Sequence, residues 1–219
     1  MFWAADTGTA IRLFRETALI NRSDTPGFAA LRYLVSHTPI DPDYSSLWSR
    51  DTVVNSVTIA GDAATVDLAK PKLNVGAEAE SLAIQQLLWT LLAAEPNVRS
   101  MRITVDGKTV ESLAGHVDAT QPFTRPPAYD VVAIVWLLSP AEGAVVTGPD
   151  VTLSGMACTV EANVVWTIRK GSKVVKSGST TAAEACPTWS PWTVDVSGLA
   201  PGTYVADAAD YSAKDGSLL

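Results

Sequence analysis

The stretch Glu78–Glu95, EAESLAIQQLLWTLLAAE, decides how this chain is read. Ile84, Leu87, Leu88, Leu91 and Leu92 recur at helical spacing along one broad apolar face, which Ala83 and Trp89 widen. Burying such aliphatics is worth about 1.5–3 kcal/mol each, before the entropy cost of ordering them. Pro96 stops the helix, and Glu78 and Glu80 at its start suit the positive end of the helix dipole. Asn74-Val75-Gly76-Ala77 ahead of it reads as a cap; it lacks the glycines of a phosphate cradle.

Working outward, each side of this helix carries a hairpin pattern. Val53–Ala60 and Ala64–Ala69 read as strands around Gly61-Asp62, whose chemistry favours a tight turn. After the helix, Met101, Ile103 and Val105 alternate inward, and Asp106-Gly107 turns the chain into a strand over Lys108–Leu113. Further out, Phe2–Ala5 and Ile11–Ile20 read as strands joined by a turn-rich connector. Thr25-Pro26 opens a short helix, Gly27–Ser36, with Thr25 expected to cap the free amides and Pro26 suited to the first helical position. Thr38–Asp51 is polar and Pro-rich, hence a loop.

ATVDL before the long helix, QQLLWTL within it and MRITVDGKTV after it resemble the GerMN domain of bacterial spore-germination and sporulation proteins. FWAADTG, IRLFRE and AALRYLV fit the start of that domain, and the resemblance spans residues 1–120. It implies a small α/β domain related to ring-building modules of envelope machines, and it implies no catalysis.

Residues 121–129 are read as a linker, within a Pro-rich, non-periodic stretch that Pro122, Pro126 and Pro127 stiffen. From 130 to 219 helical periodicity disappears and short strands recur between turns, which points to an immunoglobulin-like β-sandwich. Val164, Trp166 and Ile168 alternate with Val165, Thr167 and Arg169, as a sandwich strand with a buried tryptophan would. LLSPAEGAVVTGPDVTLSGMACTVEANV, with APGTY and SAKDGS near the end, resembles the Gmad-type immunoglobulin-like domain that accompanies GerMN domains. Pro140, Gly143, Gly155, Glu161, Gly202, Tyr204, Asp215 and Gly216 carry that match. The chain stops at Leu219, where the family continues into a last strand, so Leu218–Leu219 is expected to be frayed or to meet a neighbour. The fold class is therefore α+β: an α/β domain followed by an all-β sandwich.

Composition excludes several function classes. The 219 residues carry a net charge of −7, and the basic residues are scattered, which argues against nucleic acid and against an anionic membrane surface. No apolar run reaches the roughly 18 residues of a membrane span. Met1 is followed directly by Phe-Trp-Ala-Ala-Asp with no basic region or cleavage site, so any export signal is expected outside this chain. Cys158 and Cys186 are either two buried thiols or one disulfide; the loop-like setting of Cys186 in AEACPTW favours the disulfide and hence an oxidising compartment.

Chemistry is sparse. No Gly-x-Ser-x-Gly elbow, local Cys–His pair or Ser–His–acid set occurs, so no catalytic residue is named and no cofactor is expected. Glu78, Glu80 and Asp62 are the carboxylates that acid–base work would draw on, and each reads better as a surface group. Asp41-Pro-Asp43-Tyr-Ser45 starts like a calcium loop but has Ser46 and Thr52 where Gly and Glu are needed, and His37 and His116 stand apart, so no metal site is assigned. Trp189 and Trp192, flanking Pro191, are either rings that cap the sandwich core or a surface that stacks on a sugar or anchors a partner.

The resulting expectation is a non-enzymatic, extracytoplasmic cell-envelope protein acting through protein–protein contact or self-assembly. By resemblance it is the soluble part of a lipoprotein or membrane-anchored parent. The alternative is a cell-wall glycan-binding module using Trp189 and Trp192.

Overall fold

Chain packing divides the computed structural model between Val132 and Ala133, and the residues described are 1–20, 24–73 and 79–211. In the first unit, β1 (Phe2–Asp6) and β2 (Ile11–Arg15) pair antiparallel. The second strand is shorter than Ile11–Ile20: Glu16 still exchanges backbone bonds with Met1 while its side chain binds the Ile40–Asp41 loop, and beyond it Leu19 is wholly exposed. The helix α1 (Pro26–Ser36) starts on its proline as expected. Thr25, however, makes no side-chain cap bond; Glu95 Oε1, reaching across from the end of the long helix, accepts the Gly27 N–H at 2.8 Å instead. A carboxylate at that position also meets the positive end of the helix dipole.

β3 (Val53–Ala60) and β4 (Ala63–Ala69) form an antiparallel hairpin with a bulge at Asn55. The long helix α2 (Glu80–Ala94) then carries the chain to β5 (Ser100–Val105), which runs parallel to β4. Parallel neighbours need such a crossover. Short strands β6 (Lys108–Thr109) and β7 (Phe123–Thr124) both pair with β5, giving the order β3-β4-β5-β6. The strand expected over Lys108–Leu113 ends early because Ser112–His116 turn to wrap a buried carboxylate. Residues 121–129, read as a linker, include β7 and the start of the short helix α3 (Ala128–Val131), and both fall in the first unit.

Sequence periodicity gave α2 a single apolar face, but the helix is buried nearly all round. Glu80, Gln86 and Thr90 are as inaccessible as its leucines. The reason is a second cover: β1 and the 45–48 loop close over the helix, Trp48 donating to the Ala83 carbonyl at 2.9 Å and the Phe2 N–H to Thr90 Oγ1 at 3.0 Å.

Among the described residues the second unit is a sandwich of two three-stranded sheets. Strands β8 (Val135–Ser139), β9 (Val151–Ala157) and β12 (Ser190–Val196) form one, in the order β12-β9-β8. Strands β10 (Asn163–Lys170), β11 (Lys173–Thr181) and β13 (Val205–Ala209) form the other, in the order β11-β10-β13. Leu153, Val164, Trp166, Ile168, Trp192 and Val196 fill the space between. Gly155 is required there: a Cβ on it would sit 1.7 Å from the Trp136 carbonyl oxygen and 2.9 Å from the Trp192 ring. Leu218 and Leu219 lie outside the described residues, as do Asn74–Glu78.

Candidate functional site

Cys158 and Cys186 form a disulfide. It closes the AEACPTW loop onto the end of β9, and the Cys186 N–H donates to the Thr159 carbonyl at 3.0 Å beside it. Ser190 closes the loop from the other side: its hydroxyl donates to the Glu184 carbonyl at 2.7 Å and accepts the Glu184 N–H at 2.8 Å. Trp189 lies flat on Trp136, ring centroids 4.0 Å apart.

The two tryptophans expected to act together are thereby separated. Trp192 is 2 % exposed and its Nε1 donates to the Trp136 carbonyl at 3.2 Å, so it is a core ring with its polar tip already used. Alternation explains the split: Ser190, Trp192 and Val196 are the buried positions of β12, while Trp189 precedes the strand and stays half-buried. A shallow groove of about 430 Å³ runs over Leu138, Ser154, Pro191 and Thr193 with the Trp192 edge as floor, and none of its lining side chains is ionisable.

Acidic side chains do the organising in the first unit. Glu80, wholly buried, accepts at Oε1 from Ser112 Oγ (3.1 Å), Leu113 N (3.1 Å) and Ala114 N (2.8 Å), and at Oε2 from His116 N (2.9 Å). Burial opposes its ionisation, but these donors outweigh it and hold its pKa below the ordinary carboxylate value. Glu16 likewise accepts from Ile40 N, Asp41 N and Trp3 Nε1, at 2.9 to 3.1 Å. Asp67 accepts from Thr104 Oγ1 (2.6 Å), Gly107 N (2.8 Å) and Asn55 Nδ2 (2.8 Å), and the Thr104 and Asn55 bonds lead in lowering its pKa. That contact gives the motifs their physical sense. The aspartate of ATVDL holds the turn of ITVDGK, where Asp106 and Gly107 both take positive φ.

The remaining candidates are placed individually. Asp41 accepts the Asp43 N–H at 2.9 Å, so the calcium-like stretch is a side-chain-closed turn. Burial raises the Asp41 pKa, and the charges of Asp43 and Glu16 add to this against the Asp43 N–H bond. His37 ends α1 and stacks on Tyr33, ring centroids 4.1 Å apart, whereas His116 meets Glu80 only through its backbone. Among the described residues no cluster of three or more His, Cys, Asp or Glu is placed to hold a metal ion. Among them, too, no helix is long and apolar enough to cross a membrane. Sequence reasoning missed Gln86, whose amide joins three segments: it accepts from Leu47 N at 3.0 Å and donates to the Phe2 carbonyl at 3.0 Å and the Ser45 carbonyl at 3.5 Å. A polar residue inside an apolar helix was the signal available for it.

These elements define an α/β unit with a βαβ crossover, followed by an immunoglobulin-like sandwich. The family model described as "Sporulation and spore germination" (Germane) matches residues 1–111, and that of the "Immunoglobulin-like domain of bacterial spore germination" (Gmad2) matches residues 134–217; the chain belongs to the Germane family and carries a Gmad2 domain. No curated protein matches it. Among solved structures it is similar to the first GerMN domain of the Bacillus subtilis sporulation protein GerM, with 21 % identity, TM-score 0.47, and 57 % of this chain and 95 % of that one covered. The tandem GerMN domains of the same protein give 17 % identity and TM-score 0.49, covering 90 % of this chain and 60 % of that one. A Clostridium perfringens chain described as a candidate lipoprotein gives 19 % identity and TM-score 0.44, covering 60 % and 89 %.

Proposed function

We propose that this is an extracytoplasmic envelope protein that works by protein–protein contact, its own copies included, and that an anchor beyond this chain holds it at the membrane. The observation that carries the reading is the Cys158–Cys186 disulfide. Disulfides persist in oxidising compartments, and reducing cytosol removes them. The organising carboxylates are consistent with a contact role: Glu80, Glu16 and Asp67 spend their acceptor capacity on this chain's own loops. The test is the state of the full-length parent in its cell. Protease added to wall-stripped cells is expected to digest it, and alkylation before and after reduction is expected to show Cys158 and Cys186 joined. Protection from the protease, with both thiols free, would overturn the reading.

A further inference from the structure

Most strand edges of the first unit and the sandwich carry a device that discourages pairing with another chain. β6 and β7 are two residues long. β11 carries Lys173 and Lys176, β12 carries Pro191 and Asp195, and β13 carries Asp207. β1 is bridged by Ser45 through Ala4, and β2, which carries Arg12 and Arg15, meets Val132 through Leu13. β8 is uncharged, but it has only five residues and the first four are buried or half-buried. Charges, prolines and short length are the usual protections of an edge.

β3 is different. VVNSVTIA has eight residues without a charge or proline, it ends the sheet among the described residues, and six of its residues are exposed. The Asn55 bulge interrupts its start, leaving Ser56–Ala60 in unbroken register with β4. Coverage also runs out along it. On β4, Leu68, Val66 and Ala64 are all buried, whereas their partners Val54, Val57 and Ile59 pass from buried through half-buried to 41 % exposed. The apolar face of the sheet thus extends past its helical cover.

We propose that β3 pairs antiparallel with β3 of a second copy about a two-fold axis at Thr58, continuing the sheet across two molecules. This rests on the contact reading above and names the surface. The edge is self-complementary: although a chain of net charge −7 repels its own copies at a distance, this uncharged strand sets no like charges opposite each other, and Val57 and Ile59 share one face and can meet across a two-fold axis. Geometry selects the register. Directly opposed antiparallel residues share a face, so centring on Thr58 sets Val57 against Ile59 of the other copy, twice, on the under-covered apolar face. Thr58 then meets Thr58, and Ser56 meets Ala60, on the polar face. Centring on Val57 would instead oppose Ile59 with the bulged Asn55, and centring on Ile59 would push Val57 against the turn at Gly61.

The experiment is light scattering of the purified chain over a concentration series, with T58K and T58C beside the wild type. The wild type is expected to pass from monomer to dimer. T58K sets two lysines opposite each other and is expected to weaken the dimer at least tenfold, while the circular dichroism spectrum and the melting curve, both taken at a concentration where wild type and variant are monomeric, stay unchanged. Under mild oxidation T58C is expected to cross-link as a dimer on a non-reducing gel, and S56C, which faces Ala60, is not. A wild type that stays monomeric at every concentration overturns the proposal, as does a dimer indifferent to T58K. Either result leaves the envelope reading to its own protease and alkylation test.

Discussion

The two halves of the chain solve the same problem, holding long loops against a small core, with different chemistry. The α/β unit uses buried or half-buried polar side chains: Glu80 and Glu16 gather backbone N–H groups from segments far away in sequence, and Gln86 accepts one from Leu47 while donating to the Phe2 carbonyl. The sandwich uses close contact and a covalent bond: Gly155 under Trp192, Trp189 on Trp136, and Cys158 to Cys186. A hydrogen-bonded carboxylate answers to protons and a disulfide answers to reductant. The halves should therefore fail under different conditions.

That contrast breaks most sharply at Gly155. Gly155→Ala forces a methyl into the Trp136 carbonyl, so β8 and β9 cannot keep their register; a loss above about 4 kcal/mol is expected, read as hydrogen-exchange protection lost from 133–211 and kept in the first unit. Next in size is the disulfide, which closes a loop across 28 residues. Its reduction, or the Cys158→Ala/Cys186→Ala pair, is expected to cost about 3–4 kcal/mol in urea unfolding, again in the second unit alone.

In the first unit, Glu80→Ala leaves several part-buried donors without their acceptor and is expected to cost about 2 kcal/mol. The sign with pH follows from its lowered pKa. Stability from Glu80 is present above the unfolded carboxylate value and is lost as pH falls through the folded one, so wild type and variant should converge in acid. Measuring urea midpoints from neutral pH downward checks this. Smallest is Trp189→Ala, which removes one stacked ring at a loop and is expected to cost about 1 kcal/mol in the same unfolding measurement.

Legibility in the sequence divided along the same line. Strand β3 matches its sequence-read limits to the residue because alternation and turn chemistry are local signals. The α+β class and the disulfide were also readable. The roles of Glu80, Gln86 and Asp67 were not, because each is defined by hydrogen-bond partners 12 to 84 residues away. Glu80 looked like a dipole residue for that reason, and Thr25 looked like a cap although Glu95 takes that place. Trp192 shows the opposite case: strand parity alone would have buried it, but its neighbour Trp189 suggested a pair.

Gln86 also bears on the order in time in which the unit assembles. Its partners Phe2 and Leu47 stand 84 and 39 residues away, so its bonds form only once the β1 hairpin and the 45–48 loop have closed over α2. Such contacts are absent from an early folding nucleus and present in the finished molecule. Replacing Gln86 with Leu should then hasten unfolding several-fold and leave the folding arm of a stopped-flow chevron nearly unmoved. The amide acts as a latch on the completed unit, setting how long it stays closed.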